Sequence, residues 1–241
     1  MKIVAKTDIG LRRDSNQDSY ASGELFGSVV WAVVCDGMGG VEGGSLASQI
    51  GVDVISERIK SSYREGMSVN SIRNMLASAI TAANIKIYET SKTDIGFEGM
   101  GTTVVVVIVA DNVVYVAHLG DSRAYVISGN SLNQLTKDHS IVQELVDSGV
   151  ITKDEAASDP RKNIITRALG VDSDIHIDFA AEDIKDNDIV VLCTDGLTNF
   201  VSEETMCEFA EEDFDSFAQR LVNEANANGG GDNITVVAIT D

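Results

Sequence analysis

Hydrophobic positions along the chain fall into two kinds of run. Val29 to Cys35 (VVWAVVC) and Thr102 to Val109 (TTVVVVIV) are rich in β-branched residues and lack polar alternation. That is the pattern of strands buried on both faces. Val113–Leu119, Arg123–Ile127, Ile175–Phe179, Ile189–Cys193 and Ile234–Ile239 predict further strands, and a first one starts near Lys2. The connections Ala110-Asp111-Asn112-Val113 and Ser128-Gly129-Asn130 are short enough for hairpins, so much of the sheet should be antiparallel.

The second kind of run has helical spacing. Ala47, Ile50, Val54 and Ile55 form one apolar stripe, and Ile72, Leu76, Ile80, Ala83 and Ile87 form another. Following one another, they predict a helical hairpin packed on a sheet. Later helices are expected over His139–Asp147, Glu203–Glu211 and Phe214–Asn226. Strands in hairpin runs with helices in blocks point to an α+β fold. A four-layer α-β-β-α sandwich, two mainly antiparallel sheets flanked by helix pairs, would cover the strands on both faces. No repeat, low-complexity tract or linker divides the chain, so residues 1–241 read as a single domain. Residues 140–167, poor in large apolar side chains, read as a helical insertion.

Composition narrows the function classes. The 241 residues carry 18 Lys and Arg against 38 Asp and Glu, a net charge of −20. Such a surface disfavours nucleic acid and anionic membranes, which need clustered cations. The longest apolar run, Val104 to Ala110, is far short of a membrane span, and no signal peptide is expected. Cys35, Cys193 and Cys207 are odd in number and widely spaced, as reduced core thiols of a cytoplasmic protein would be.

Candidate chemistry lies in four aspartates at strand ends. Asp36 ends one buried strand in VVCDGMGG, Asp195 another in LCTDG, Asp121 follows a third in LGDSR, and Asp232 introduces the last in GGGDN. One Asp-Gly is ordinarily a turn. Four capping apolar strands converge, because neighbouring strands stand about 5 Å apart. Converged carboxylates repel unless cations or protons neutralise them. Hard oxygen ligands without His or Cys favour Mg²⁺ or Mn²⁺, with adjacent glycines allowing a backbone carbonyl to contribute. Calcium competes, but no EF-hand loop is present.

Eight motifs extend this picture in a fixed order: RDSNQD at 13–18, DGMGG at 36–40, GTT at 101–103, GDSR at 120–123, DHS at 138–140, TRALG at 166–170, TDGL at 194–197 and GDNIT at 231–235. Across them the chain resembles the metal-dependent protein phosphatases, the type 2C serine/threonine phosphatases, and specifically their short bacterial members. The resemblance implies two antiparallel sheets flanked by helix pairs. It implies that Asp36 bridges two ions, Mn²⁺ or Mg²⁺, with the Gly37 carbonyl on one and Asp195 and Asp232 on the other. Asp18 would complete the cluster through water. Bacterial relatives often carry a third ion, which would use Asp121 together with Asp195. Arg13 would hold the substrate phosphate, and residues 140–167 would be a mobile flap. The implied reaction is in-line attack of a metal-activated water on phosphoserine or phosphothreonine without a phosphoenzyme. The implied partners are phosphorylated proteins, substrates of a eukaryotic-like serine/threonine kinase, and the kinase itself.

Two positions depart from the animal members. Gln17 stands where they place a metal-binding Glu, and Met38 where they place a His proposed as general acid. Arg161, Lys162 and Arg167 either meet a phosphopeptide or balance charge on a solvated loop. His118, His139 and His176 are expected to be structural or exposed. A two-metal phosphodiesterase or small-molecule phosphatase would also suit the carboxylates, and an inactive phosphatase-like binding module is the non-enzymatic alternative. Retention of Asp36, Asp195 and Asp232 favours an enzyme.

Overall fold

The structure, a computed structural model, describes residues 1–40 and 42–241. One sheet consists of β1 (Lys2–Asp8), β11 (Ile234–Thr240), β10 (Ile189–Cys193), β7 (Arg123–Ser128) and β8 (Ser131–Gln134), in that spatial order. The other runs β2 (Asp18–Glu24), β3 (Val30–Met38), β5 (Val104–Ala110), β6 (Val113–Leu119) and β9 (Asp178–Asp183), with the short β4 (Gly101–Thr102) paired to the end of β3. Every pairing is antiparallel.

The unbroken apolar runs are explained by three stacked hydrophobic layers. Along β3, Val30, Ala32 and Val34 face the other sheet and meet residues such as Val190, Leu192 and Val237. The intervening Trp31, Val33 and Cys35 face Ile55, Ile59, Leu76 and Ile80. Those last four belong to α1 (Gly43–Ser62) and α2 (Val69–Ser91). On the far side, Val191, Cys193 and Val236 pack with Phe217, Leu221 and Val222. Consecutive strand residues therefore point alternately into two dry layers, so no polar face is left. The expected four-layer α-β-β-α arrangement is observed, with α6 (Glu203–Ala210) and α7 (Phe217–Ala227) as the second helical layer.

The local signals behave as expected for the two long helices. Ser68 caps α2 by accepting the Ser71 N–H, and Ile72, Leu76, Ile80, Ala83 and Ile87 are all buried. In α1 the deepest apolar positions are Ala47, Val52, Ile55 and Ile59, with Ile50 and Val54 at the flank of the stripe. Between residues 140 and 167 lie α3 (Ile141–Asp147) and α4 (Lys153–Ser158), the latter closed by a Thr152/Glu155 capping box. α5 (Asp195–Thr198) is a single turn. No helix among the described residues is long and apolar enough to cross a membrane.

Some strand expectations need correction, and the reason is common to them. β2 and β8 carry polar sequences and lie at sheet edges, where one side and part of each face are wet. β9, another edge, begins at Asp178, so Ile175 and Ile177 pack on the core without pairing and His176 is exposed rather than in a strand. The run from 102 breaks at Thr103, whose N–H donates to the Asp36 carbonyl while its hydroxyl accepts the Asp36 N–H.

Candidate active site

The ends of β2, β3, β6, β10 and β11 meet at one end of the two sheets. There a cleft of about 560 Å³ is lined by Arg13, Asp36, Gly37, Asp121, Asp195 and Asp232, together with Arg12, Met38 and Thr103. Asp18 lies behind it, in register opposite Asp36 on the β2–β3 ladder. All seven candidate residues are thus brought to one place.

The carboxylates of Asp18, Asp195 and Asp232 each accept hydrogen bonds, those of Asp18 from residues distant in sequence. Asp18 Oδ2 accepts from the Thr194 hydroxyl at 2.9 Å and the Thr235 hydroxyl at 2.7 Å. Asn199 donates to Asp195 Oδ2, and the Asn233 N–H to Asp232 Oδ1. Arg13 Nη2 donates to Asp232 Oδ2 at 2.8 Å, which places the guanidinium in the cleft beside the cluster. Thr103, in turn, shares a hydrogen bond with Ser122, joining the Asp36 backbone to the loop after Asp121. Close packing requires two of the glycines. A Cβ on Gly37 would stand 2.0 Å from the Gly44 carbonyl oxygen, and one on Gly196 would stand 1.9 Å from that of Asn233. Gly37→Ala should therefore force β3 away from the start of α1. The expected loss is about 3 kcal/mol, the upper end for overpacking, read as a lower urea midpoint; an unchanged midpoint would contradict it.

Electrostatics at the site are unfavourable in the absence of counter-charge. Burial and the neighbouring carboxylates push Asp18 and Asp121 up to about 7 and Asp195 to about 6. Asp36 is raised well above the usual range by burial, then by Asp18, Asp195, Asp121 and Asp232. Asp18 Oδ1 and Asp195 Oδ1 are buried without a hydrogen-bond partner among the described residues. Orphaned buried oxygens on mutually repelling carboxylates fit divalent cations. The only His, Cys, Asp or Glu trio among the described residues whose ligand atoms lie within 4.8 Å of one another is elsewhere, at His118, His139 and Asp178. The cleft carboxylates are set wider than a single tight cage, as suits hard cations that retain water.

Residues 12–234 match the family described as Protein phosphatase 2C. The chain belongs to this family. Its members are metal-dependent serine/threonine phosphatases, and the enzyme class of this chain is protein serine/threonine phosphatase, acting on phosphorylated proteins. It is 37% identical over 241 residues to the serine/threonine phosphatase Stp of Listeria monocytogenes serotype 4b, covering 99% of this chain and 95% of that one. The solved S. agalactiae serine/threonine phosphatase shares 35% identity at a TM-score of 0.92, with 100% and 99% of the two chains covered. The catalytic domain of the phosphatase PstP, solved in complex with two manganese ions, is 33% identical at a TM-score of 0.86, covering 100% of this chain and 98% of that one.

Within this phosphatase 2C chain, several supporting residues escape a reading of motifs alone. Thr194 and Thr235 sit inside TDGL and GDNIT, but their shared target, Asp18, is 176 and 217 positions away. Arg123 of GDSR makes a half-buried fork to Asp138 of DHS, at 2.7 Å from Nη2, and also donates to the Tyr125 hydroxyl. Of the basic residues near 161–167, Arg161 pairs with Asp159 and Arg167 with Asp178. Neither lines the cleft; Asn163 and Ile165 do.

Proposed function

We propose that this cleft hydrolyses phosphoserine and phosphothreonine in proteins using two divalent cations, Mn²⁺ or Mg²⁺. The observation that carries the reading is the joining of Asp36, Asp121, Asp195, Asp232 and Arg13 in one cleft, backed by orphaned oxygens of Asp18 and Asp195. Asp36, Asp195 and Asp232 with the Gly37 carbonyl would hold the two ions, Asp18 would support them from behind, and Asp121 with Asp195 would serve a third. Such ions, when bound, acidify water and offset the charge of the phosphate.

The protein's own groups then have separate tasks. Arg13 offers a planar fork of donors suited to phosphate oxygens, and its contact with Asp232 keeps it at the cleft wall. Thr194 and Thr235 fix Asp18, and Asn199 fixes Asp195, so the carboxylates face the cleft in set orientations. Met38 lines the cleft but has no proton to donate, so protonation of the leaving alkoxide falls to water or another group. Cys35 and Cys193 lie inside the sheets, and burial pushes the Cys193 thiol up to about 12 and that of Cys35 higher. Neither serves as a nucleophile, in keeping with direct attack by water and no phosphoenzyme.

Residues 1–241 act as one catalytic unit in this reading, with 140–167 as a flap that selects substrate; Asn163 and Ile165 reaching the cleft support that role. The three buried, unpaired cysteines suit the cytoplasm. The corresponding partners are proteins phosphorylated by a eukaryotic-like serine/threonine kinase, and that kinase itself. The substrate assignment is tested with matched phosphopeptides and a phosphodiester in Mn²⁺. Phosphoserine and phosphothreonine should exceed phosphotyrosine and the diester by at least ~10-fold in kcat/KM, about 1.4 kcal/mol of transition-state preference. A diester hydrolysed faster than either phosphopeptide would sink it.

A further inference from the structure

The DHS motif holds a residue that the reaction above leaves without a task. His139 is buried just before α3, and it grips Gly120 by both of its polar backbone atoms. Its own N–H donates to the Gly120 carbonyl at 3.0 Å, and its ring Nδ1 accepts the Gly120 N–H at 3.1 Å. Gly120 immediately precedes Asp121, and its φ of +114° is one that L side chains rarely adopt. A Cβ there would also stand 2.6 Å from Thr103 Cβ. The backbone leading into Asp121 is therefore unusual in conformation and held on both sides by one residue, through its main chain and its ring.

The same contacts decide the tautomer. A backbone N–H cannot turn away, so Nδ1 must present its lone pair and the ring proton sits on Nε2. There it meets Asp178 Oδ2 at 3.2 Å. Arg167 Nη1, 3.1 Å from Nε2, would favour the opposite tautomer, but this arginine is partly exposed and also reaches Asp178 Oδ1 at 3.5 Å. The movable donor yields to the fixed one. Burial holds the imidazole pKa below its ordinary value, so the ring stays neutral, and His118 stacks on it at 4.9 Å between centroids. These contacts also dispose of a metal at His118, His139 and Asp178, because a neutral ring whose Nδ1 accepts a hydrogen bond has no lone pair left on Nε2.

We propose that His139 is a positioning residue for Asp121. Held as the Nε2–H tautomer by Asp178, it fixes Gly120 and thereby the Asp121 carboxylate at the cleft wall. It also ties that carboxylate to the root of the 140–167 segment, since the His139 carbonyl accepts the Thr166 N–H at 2.8 Å. The proposal rests on the metal-binding reading of the cleft, and orienting groups behind a ligand commonly alter metal affinity by ~10–100-fold.

The test has two parts. Nitrogen NMR of the native chain should show the His139 proton on Nε2; a proton on Nδ1 overturns the proposal, whether or not any variant folds. Calorimetric titration of metal-free protein with Mn²⁺ should then show the weakest binding step weakened ~10-fold or more in His139→Leu. His139→Asn, whose amide oxygen can replace Nδ1 as acceptor, should restore most of it. Native binding at every step in a folded leucine variant, or no recovery with asparagine, would contradict the role. A native chain that binds no Mn²⁺ would instead refute the metal-binding reading, leaving the tautomer to decide the geometry alone.

Discussion

Asp36→Asn is expected to abolish turnover while making the metal-free protein more stable. The charge of Asp36 is opposed first by burial and then by all four of its acidic neighbours, so a neutral side chain there removes the cost of a buried charge and relieves repulsion in the cluster. Relief equivalent to one pKa unit is ~1.4 kcal/mol, which in a chain of this size raises the melting temperature by ~3–6 °C. The same change removes a charge on which the cations depend. Loss of several kcal/mol of charge stabilisation corresponds to a fall in kcat/KM of ~10³-fold or more. Phosphopeptide assays and melting curves in chelator read the two effects separately. A variant that is both active and less stable would show that Asp36 has only a structural role.

The second large effect is a change in the pH dependence of stability when divalent ions are added. Asp18 and Asp121 lie near 7 and Asp195 near 6 in the folded metal-free protein, against an ordinary 3.8 for each. The folded state therefore holds more protons than the unfolded chain between about pH 4 and 7. Its stability falls as pH rises through that window, because ionisation puts charge on buried carboxylates and, secondly, places like charges side by side. Cations bind the deprotonated carboxylates, so their affinity rises over the same range. At 100 times its dissociation constant each ion adds ~2.7 kcal/mol, or ~5–11 °C in melting temperature. Melting in chelator should thus occur at a lower temperature at pH 8 than at pH 5.5, and saturating Mn²⁺ should remove or invert the difference. A chelated protein whose melting temperature rises with pH across this interval would contradict the electrostatic description of the cleft.

Much of this site is legible from sequence because its carboxylates sit where apolar strands end. VVCDG and VVLCTDG each join a buried strand to an aspartate and a glycine, and steric contact at Gly37 and Gly196 explains why the glycine is needed. The layers are legible for a similar reason: seven consecutive apolar residues over 29–35 require cover on both faces, which the observed cores supply. Edge strands are harder to read. β2 spells DSYASGE, a sequence with the polarity of a loop, and becomes a strand only because β3 offers its open side. The supporting polar network is harder still. Nothing local marks Thr235 as a partner of Asp18 or His139 as a clamp on Gly120, because those bonds exist only after the two sheets and the 140–167 segment have come together at the cleft.

Phosphate release from a phosphothreonine peptide, measured for the native chain and for Asp195→Ala with Mn²⁺ or with chelator, tests the central claim most directly. Release by the native chain in Mn²⁺, lost both in chelator and in the variant, is the predicted result. Release that persists in chelator, or in Asp195→Ala at the native rate, would contradict a carboxylate-held metal centre as the catalyst.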